Sequence, residues 1–166
     1  MQNAAYAWTL PMHPLIELPE TLHPLFLAAG WPVTHIEPLP DFVPREHPAA
    51  ALLEQLAGLT VGTCGTGEDC ATSDVAFGTF EHLHGDEDFL AWQQRLGSSL
   101  VSIAEIHHGH AALLMDEKGR CYAFSFIHDG FWLQGRTFVE AMEKLVFGRK
   151  CGEQVALATP DAVPVV

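Results

Sequence analysis

The sequence predicts a single α+β domain in which helices flank a mixed or mainly antiparallel sheet. Three observations lead there. Ala111–Met115 and Cys121–Ile127 are apolar runs joined by Asp116-Glu117-Lys118-Gly119. That linker is short, polar and closed by a glycine able to take positive φ, which is the pattern of a β-hairpin. Thr137 and Glu140 then stand at capping-box spacing before an apolar stripe of Phe138, Ala141, Met142, Leu145 and Val146, with Gly148 suited to the left-handed stop, so a helix over 138–147 follows. Finally, 166 residues that are 48% apolar and 17% charged suffice for one packed core and are too few for two comfortable ones.

The other elements are read in order. Residues 1–19 carry Pro11, Pro14 and Pro19, so they form an irregular arm, and Trp8, Leu10, Leu15, Ile16 and Leu18 make that arm apolar enough to pack on the domain. A short helix is expected from about Glu20 to Ala29, stopped by Gly30, with Trp31-Pro32 forcing an extended exit. Residues 32–48 are punctuated by proline and read as a loop holding one short strand at Val33–Ile36. Pro48 suits the first position of a second helix that ends at Gly58. Leu59–Gly62 and Val75–Phe80 are strand candidates around a Gly/Ser/Thr/Asp loop, and His82–Gly85 is a turn. Asp86 caps a third helix from Glu87 to about Leu96, whose apolar face is Phe89, Trp92 and Leu96 and whose first-turn acids suit the macrodipole. Leu100–Ile106 is a strand, and His107-His108-Gly109-His110 bends it into the hairpin. The domain therefore spans 20–150, between an arm at 1–19 and a tail at 151–166.

Charge narrows the function. The net charge is −13, and residues 1–94 hold 13 acids against one base, Arg45, whereas residues 95–166 hold eight acids against seven bases. No Lys or Arg occurs from Glu46 to Gln94. Such a surface argues against nucleic acid, whose phosphates need a cationic partner, and favours a basic protein partner over mere solubility. No stretch approaches the ~20 apolar residues of a membrane span. The N-terminus lacks a basic start and is broken by prolines, so it is a poor signal peptide and the expected location is cytoplasmic. Four cysteines without metal spacing read as thiols of a cytosolic protein, not as a disulfide framework.

Several groups invite a chemical reading. His108 and His110 would share one face of an extended segment and His107 the other, and even with Glu105 they make only part of a zinc site that no nearby Cys pair completes. The favoured reading is a polar turn. Cys64 and Cys70 could meet across the Gly-rich loop, but the compartment argues against a bond. A nucleophile pair of Cys64 or Cys121 with a histidine has no local signature. Gly62-x-x-Gly65-x-Gly67 lacks the lysine of a phosphate loop, and Glu68 and Asp69 would repel phosphate. The sequence thus nominates no catalytic residue, no metal ligand set and no cofactor. Phe131-Trp132, read as part of a glycine-hinged loop between hairpin and helix, are either core-edge aromatics or an interface anchor.

A succession of local patterns is nonetheless familiar. It runs Leu27-Ala28-Ala29-Gly30-Trp31, then Ala50-Ala51-Leu52-Leu53-Glu54-Gln55-Leu56-Ala57-Gly58-Leu59, then Leu96-Gly97-x-x-Leu100-Val101-x-Ile103 with Glu105. Asp116-Glu117-x-Gly119-Arg120-x-Tyr122 and Ala141-x-x-x-Leu145-Val146-x-Gly148 complete it. In order and spacing this resembles the SUKH superfamily of bacterial immunity proteins, its third subfamily in particular, over roughly residues 25–150. Departures are the Gln55-Leu56-Ala57-Gly58 end of the second helix and the Cys- and Gly-rich loop at Thr63–Thr72. The resemblance implies an α+β fold and a non-enzymatic role: binding and silencing a cognate secreted toxin domain, often a nuclease or deaminase. Against a basic toxin, Asp69, Asp74, Glu81, Asp86, Glu87 and Asp88 become the steering set and Trp132 the anchor. The alternatives are a Cys/His-dependent hydrolase or metal-binding enzyme, and a generic interaction module of the same fold.

Overall fold

The computed structural model describes residues 13–33, 36, 38–128 and 130–150. Its elements run α1 (His23–Ala28), α2 (Pro48–Leu56), β1 (Thr60–Val61), β2 (Gly65–Thr66), β3 (Ala71–Thr72) and β4 (Val75–Phe77). A 3₁₀ turn (Glu81–Gly85) leads to α3 (Glu87–Leu96), followed by β5 (Val101–Ile106), β6 (Ala111–Met115), β7 (Cys121–Ser125), β8 (Phe131–Gly135) and α4 (Phe138–Phe147). Six strands form one sheet in the order β1-β4-β5-β6-β7-β8, every neighbouring pair antiparallel, and β2 with β3 makes a separate two-stranded ribbon. The expected α+β class, with a mainly antiparallel sheet and flanking helices, is what the chain adopts.

Alternation along the strands explains the layering. Ala111, Leu113 and Met115 of β6 and Cys121 and Ala123 of β7 join the core beneath α1, α2 and α4, with Phe26, Leu53, Leu56, Met142 and Leu145 above them. Ala112, Leu114 and Tyr122 point the other way, to a second core closed by Leu83 of the 3₁₀ turn and Phe89 and Trp92 of α3. Both faces of the sheet are covered, which is why β6 is buried along its whole length. On the α3 side Trp92 stacks on Phe131 at 4.0 Å and 11°, and Phe131 lies 5.2 Å from Tyr122.

The hairpin and the last helix follow their sequence signals. Gly119 takes φ +78°, the Thr137 hydroxyl accepts from the Glu140 N–H, and Gly148 ends α4 at φ +65°. The Glu140 carboxylate accepts from the N–H of Arg136, one residue before the cap, so the capping box closes one position early. Gly135 is needed because a Cβ there would run into the backbone N and Cα of Ala141, where β8 turns under α4.

Four sequence expectations change. The segment with Phe131 and Trp132 is strand β8, not a loop, because Tyr122↔Leu133 and Ala123↔Trp132 pairing extends the hairpin to a third strand. The Gly-rich stretch contains the β2–β3 ribbon, invisible to periodicity because its strands are two residues each. The first helix begins at His23, where Pro24 serves as an opening residue, after a turn in which the Leu22 and His23 N–H groups donate to the Pro19 carbonyl. Val33 and Ile36 are not in a strand, and the residues between them lie outside the described part. Of the arm, His13–Pro19 runs along α2: the Ile16 N–H donates to Gln55 Oε1 at 2.9 Å, Gln55 Nε2 donates to the Pro14 carbonyl at 2.8 Å, and Ile16 and Leu18 pack on the core. The rest of the arm and the tail at 151–166 lie outside the described residues.

Candidate functional site

The fold distributes Asp69, Asp74, Glu81, Asp86, Glu87 and Asp88 over three places. Asp69, with Glu68, sits at the far end of the ribbon, against the end of α4. Arg149 grips Glu68 with two nitrogens, at 2.8 and 3.2 Å, and the Lys150 N–H donates to Asp69 Oδ2 at 3.2 Å. Arg149 holds the Glu68 carboxyl below the usual carboxylate range. This pairing has a backbone cause. The N–H of Glu68 donates to the Phe147 carbonyl, those of Asp69 and Cys70 to Gly148, and that of Ser73 to Leu145. The ribbon thereby satisfies carbonyls that a helix end leaves open, and Gly67 lies so close that a Cβ would strike the Cys70 carbonyl and the Gly148 Cα.

Asp74 belongs to a second place, the corner where the ribbon meets the β4–β5 ladder. Its Oδ1 accepts the Cys64 thiol at 3.3 Å and the His108 N–H at 2.9 Å, and its Oδ2 lies 3.4 Å from His108 Nδ1. Partial burial works to raise the Asp74 pKa, but the bonds from His108 and Cys64 outweigh it and hold the carboxyl below its ordinary value. Burial pushes the Cys64 thiol up. The His107 N–H donates to Ser73 Oγ at 2.8 Å, and His107 and His108 both take positive φ (52° and 56°). Cys64 and Cys70 are not joined: Cys64 turns to Asp74, and Cys70 Sγ lies 3.7 Å from the Arg149 carbonyl.

Glu81, Asp86, Glu87 and Asp88 make the third place, and these four are all exposed. Asp86 caps α3, its Oδ1 accepting from the N–H groups of Asp88 and Phe89. Glu87 and Asp88 occupy the first turn, where negative charge is favoured by the open N–H groups. Among the described residues, the ion pairs use Glu54, Glu68, Asp74, Asp116, Glu140 and Glu143, and none uses Glu81, Asp86, Glu87 or Asp88. Among the described residues Glu17, Glu20, Asp41, Glu46 and Glu117 are likewise exposed and outside these ion pairs, but Glu81, Asp86, Glu87 and Asp88 are gathered at the start of α3.

Trp132 is on the opposite side of the sheet from these acids. It follows Phe131 in β8, so it faces the α1–α2–α4 layer, half-buried, and its Nε1 donates to Gln134 at 3.0 Å. Its strand neighbour Phe131 is wholly buried in the α3 core. The residues sequence reasoning passed over are Leu90 and Phe126, 42% and 43% exposed. Leu90 stands three residues after Glu87, off the Phe89–Trp92–Leu96 stripe, and an apolar residue outside a helix's buried stripe was the signal available. Phe126 meets Phe124 edge-on at 5.9 Å, and Phe124 packs against the α3 core, so both exposed side chains lie on the acidic side.

The architecture defines a small α+β domain with a two-sided sheet and one helix that carries its charge outward. A family model described as SUKH-3 immunity protein matches residues 40–148, more than half of the chain, and the chain belongs to that family. No curated protein and no solved structure matches it. No helix among the described residues is long and apolar enough to cross a membrane.

Proposed function

We propose that this protein is a cytoplasmic immunity protein that binds a cognate secreted toxin domain, a nuclease or deaminase, and neutralises it without chemistry of its own. Family membership supports the neutralising role. The observation that carries the docking mode is the group of exposed acids without ion pairs at the start of α3, with exposed Leu90 on the same helix and exposed Phe126 against Phe124 of the α3-side core. A toxin that acts on nucleic acid presents a basic cleft, so these acids steer the encounter and the apolar side chains resist dissociation. Asp74 is bonded to Cys64 and His108 within the fold, Asp69 accepts the Lys150 N–H beside the Arg149–Glu68 pair, and Trp132 faces the other layer, so in this reading they support the domain and Glu81, Asp86, Glu87 and Asp88 make the contact.

The test leaves the Asp86 cap in place. Glu81→Lys, Glu87→Lys and Asp88→Lys together should slow association with the toxin domain encoded beside this gene by about tenfold or more at low ionic strength, the difference shrinking as salt is added. Surface plasmon resonance at two salt concentrations reads both effects. Unchanged rate constants in a folded triple variant would remove the α3 surface, and failure of the wild-type chain to retain that toxin domain in a pull-down would remove the partner.

A further inference from the structure

We infer that Cys64, Asp74 and His108 form a binding site for a zinc-type divalent cation, with solvent completing the coordination. The three come from separate parts of the chain and are brought together by two ladders. Pairing of Gly65 with Thr72 sets Cys64 opposite Ser73, and pairing of Val75 with Ile106 sets Asp74 opposite the His107–His108 turn. One ligand atom from each lies within 4.8 Å of the others. Zinc bonds of about 2.3 Å to sulfur and about 2.0–2.2 Å to nitrogen and oxygen, at tetrahedral angles, place S and O about 3.5 Å apart and N and O about 3.3 Å apart. The observed separations are 3.3 Å from Cys64 Sγ to Asp74 Oδ1 and 3.4 Å from Asp74 Oδ2 to His108 Nδ1, so the carboxylate sits between the other two ligands with one oxygen toward each. The imidazole is 68% exposed, so its ring can turn inward and the fourth position faces water.

The donor set selects the ion. One thiolate and one imidazole suit zinc or cobalt, whereas calcium and magnesium take oxygen ligands. The corner is also held ready: Ser73 Oγ, fully buried, accepts from the His107 N–H, and Asp74 accepts from the His108 N–H, which fixes the two left-handed residues that aim His108. A nucleophilic Cys–His pair fits less well, because the Cys64 thiol bonds the Asp74 carboxylate, not an imidazole nitrogen. Binding converts the Cys64 thiol to a thiolate, the metal–sulfur bond replaces the S–H bond, and the proton passes to solvent. Sequence spacing hid the set because its members lie at 64, 74 and 108, and only one of the three neighbouring histidines belongs to it.

Titration of the reduced full-length chain with Co²⁺ tests the site. One Co²⁺ should bind per chain with a thiolate-to-metal charge-transfer band in the near ultraviolet, and Zn²⁺ should displace it. Cys64→Ser, which keeps a hydrogen bond to Asp74, should abolish the band. His108→Asn, chosen because Asn tolerates positive φ, should weaken Zn²⁺ binding by at least about tenfold in competition with a chromophoric chelator. Cys70→Ser should change neither reading, and far-ultraviolet circular dichroism checks that each variant is folded. A wild-type chain without the band, a band that survives Cys64→Ser, or one that disappears with Cys70→Ser would overturn the site. The result does not depend on the toxin partner.

Discussion

Asp116 shows how one residue can be charged, wholly buried and still stabilising. Its carboxylate accepts from the N–H groups of Lys118 and Arg120, from Arg120 Nε at 2.6 Å and, more weakly, from the Tyr122 hydroxyl at 3.4 Å. Every lone pair that burial removes from water is thus answered inside the hairpin turn. Asp116→Ala should cost about 2–3 kcal/mol by chemical denaturation, below the ~3–5 of a fully buried pair because Arg120 can turn to water. The sequence around it predicted the turn, since Asp-Glu-Lys-Gly is turn chemistry, but not the burial, which depends on Tyr122 lying across the turn. Phe131 and Trp132 carry the same lesson. Adjacent aromatics are equivalent in a loop and opposite in a strand, so their roles could not be separated until the β7–β8 pairing was known.

At the scale of elements, the parts that were legible are those whose signals are local. The caps and stops of α3 and α4, the hairpin glycine and the opening of α2 by Pro48 each need only a few neighbouring residues, and the chain obeys them. The β2–β3 ribbon was illegible for the complementary reason. Its partner is the end of α4, some eighty residues away, and no periodicity marks a strand of two residues. The ribbon accounts for Gly67 in that loop, because the α4 end leaves no room for a side chain there. Gly67→Ala should destabilise the domain by about 1–3 kcal/mol in thermal or urea unfolding, the range for forcing a methyl group into a packed site. A wild-type melting curve from that variant would separate the ribbon from the helix. The acidic site was legible in part: the run of carboxylates was visible, but which of them the bases of the second half would claim was a matter of tertiary contact.

For the molecule as a whole, half-buried histidines set the response to pH. His84 lies between Phe42 and Phe89, at 4.7 and 4.9 Å, with Ser102 Oγ 3.5 Å away, and burial lowers its pKa below the ordinary 6.5. Burial lowers His107 as well, with Asp74 opposing and His108 and His110 assisting. Below pH 6.5 the unfolded chain therefore binds protons that the folded chain refuses, so stability is full above that value and falls as the pH drops through it. Asp74 and Glu140, whose carboxyls lie below 3.8 and 4.5, contribute stability that is present above those values and is lost on further acidification. Urea midpoints should thus decline in two stages, beginning below about pH 6.5. His84→Phe, which keeps the aromatic packing and removes the titrating ring, should shrink the first stage. A single decline confined to pH below 4.5 would assign the histidines no share.

The clasp between the ribbon and the last helix has one more consequence. Four amide protons from residues 68–73 are held by carbonyls at 145–148, and the same ribbon carries Cys64 and leads into Asp74. Segments remote in sequence therefore breathe as one cooperative unit, because exposing the amides of either requires releasing both. An ion seated at the Cys64 corner would tighten that unit from its far end, and its arrival would register as slower hydrogen exchange in the final turn of α4.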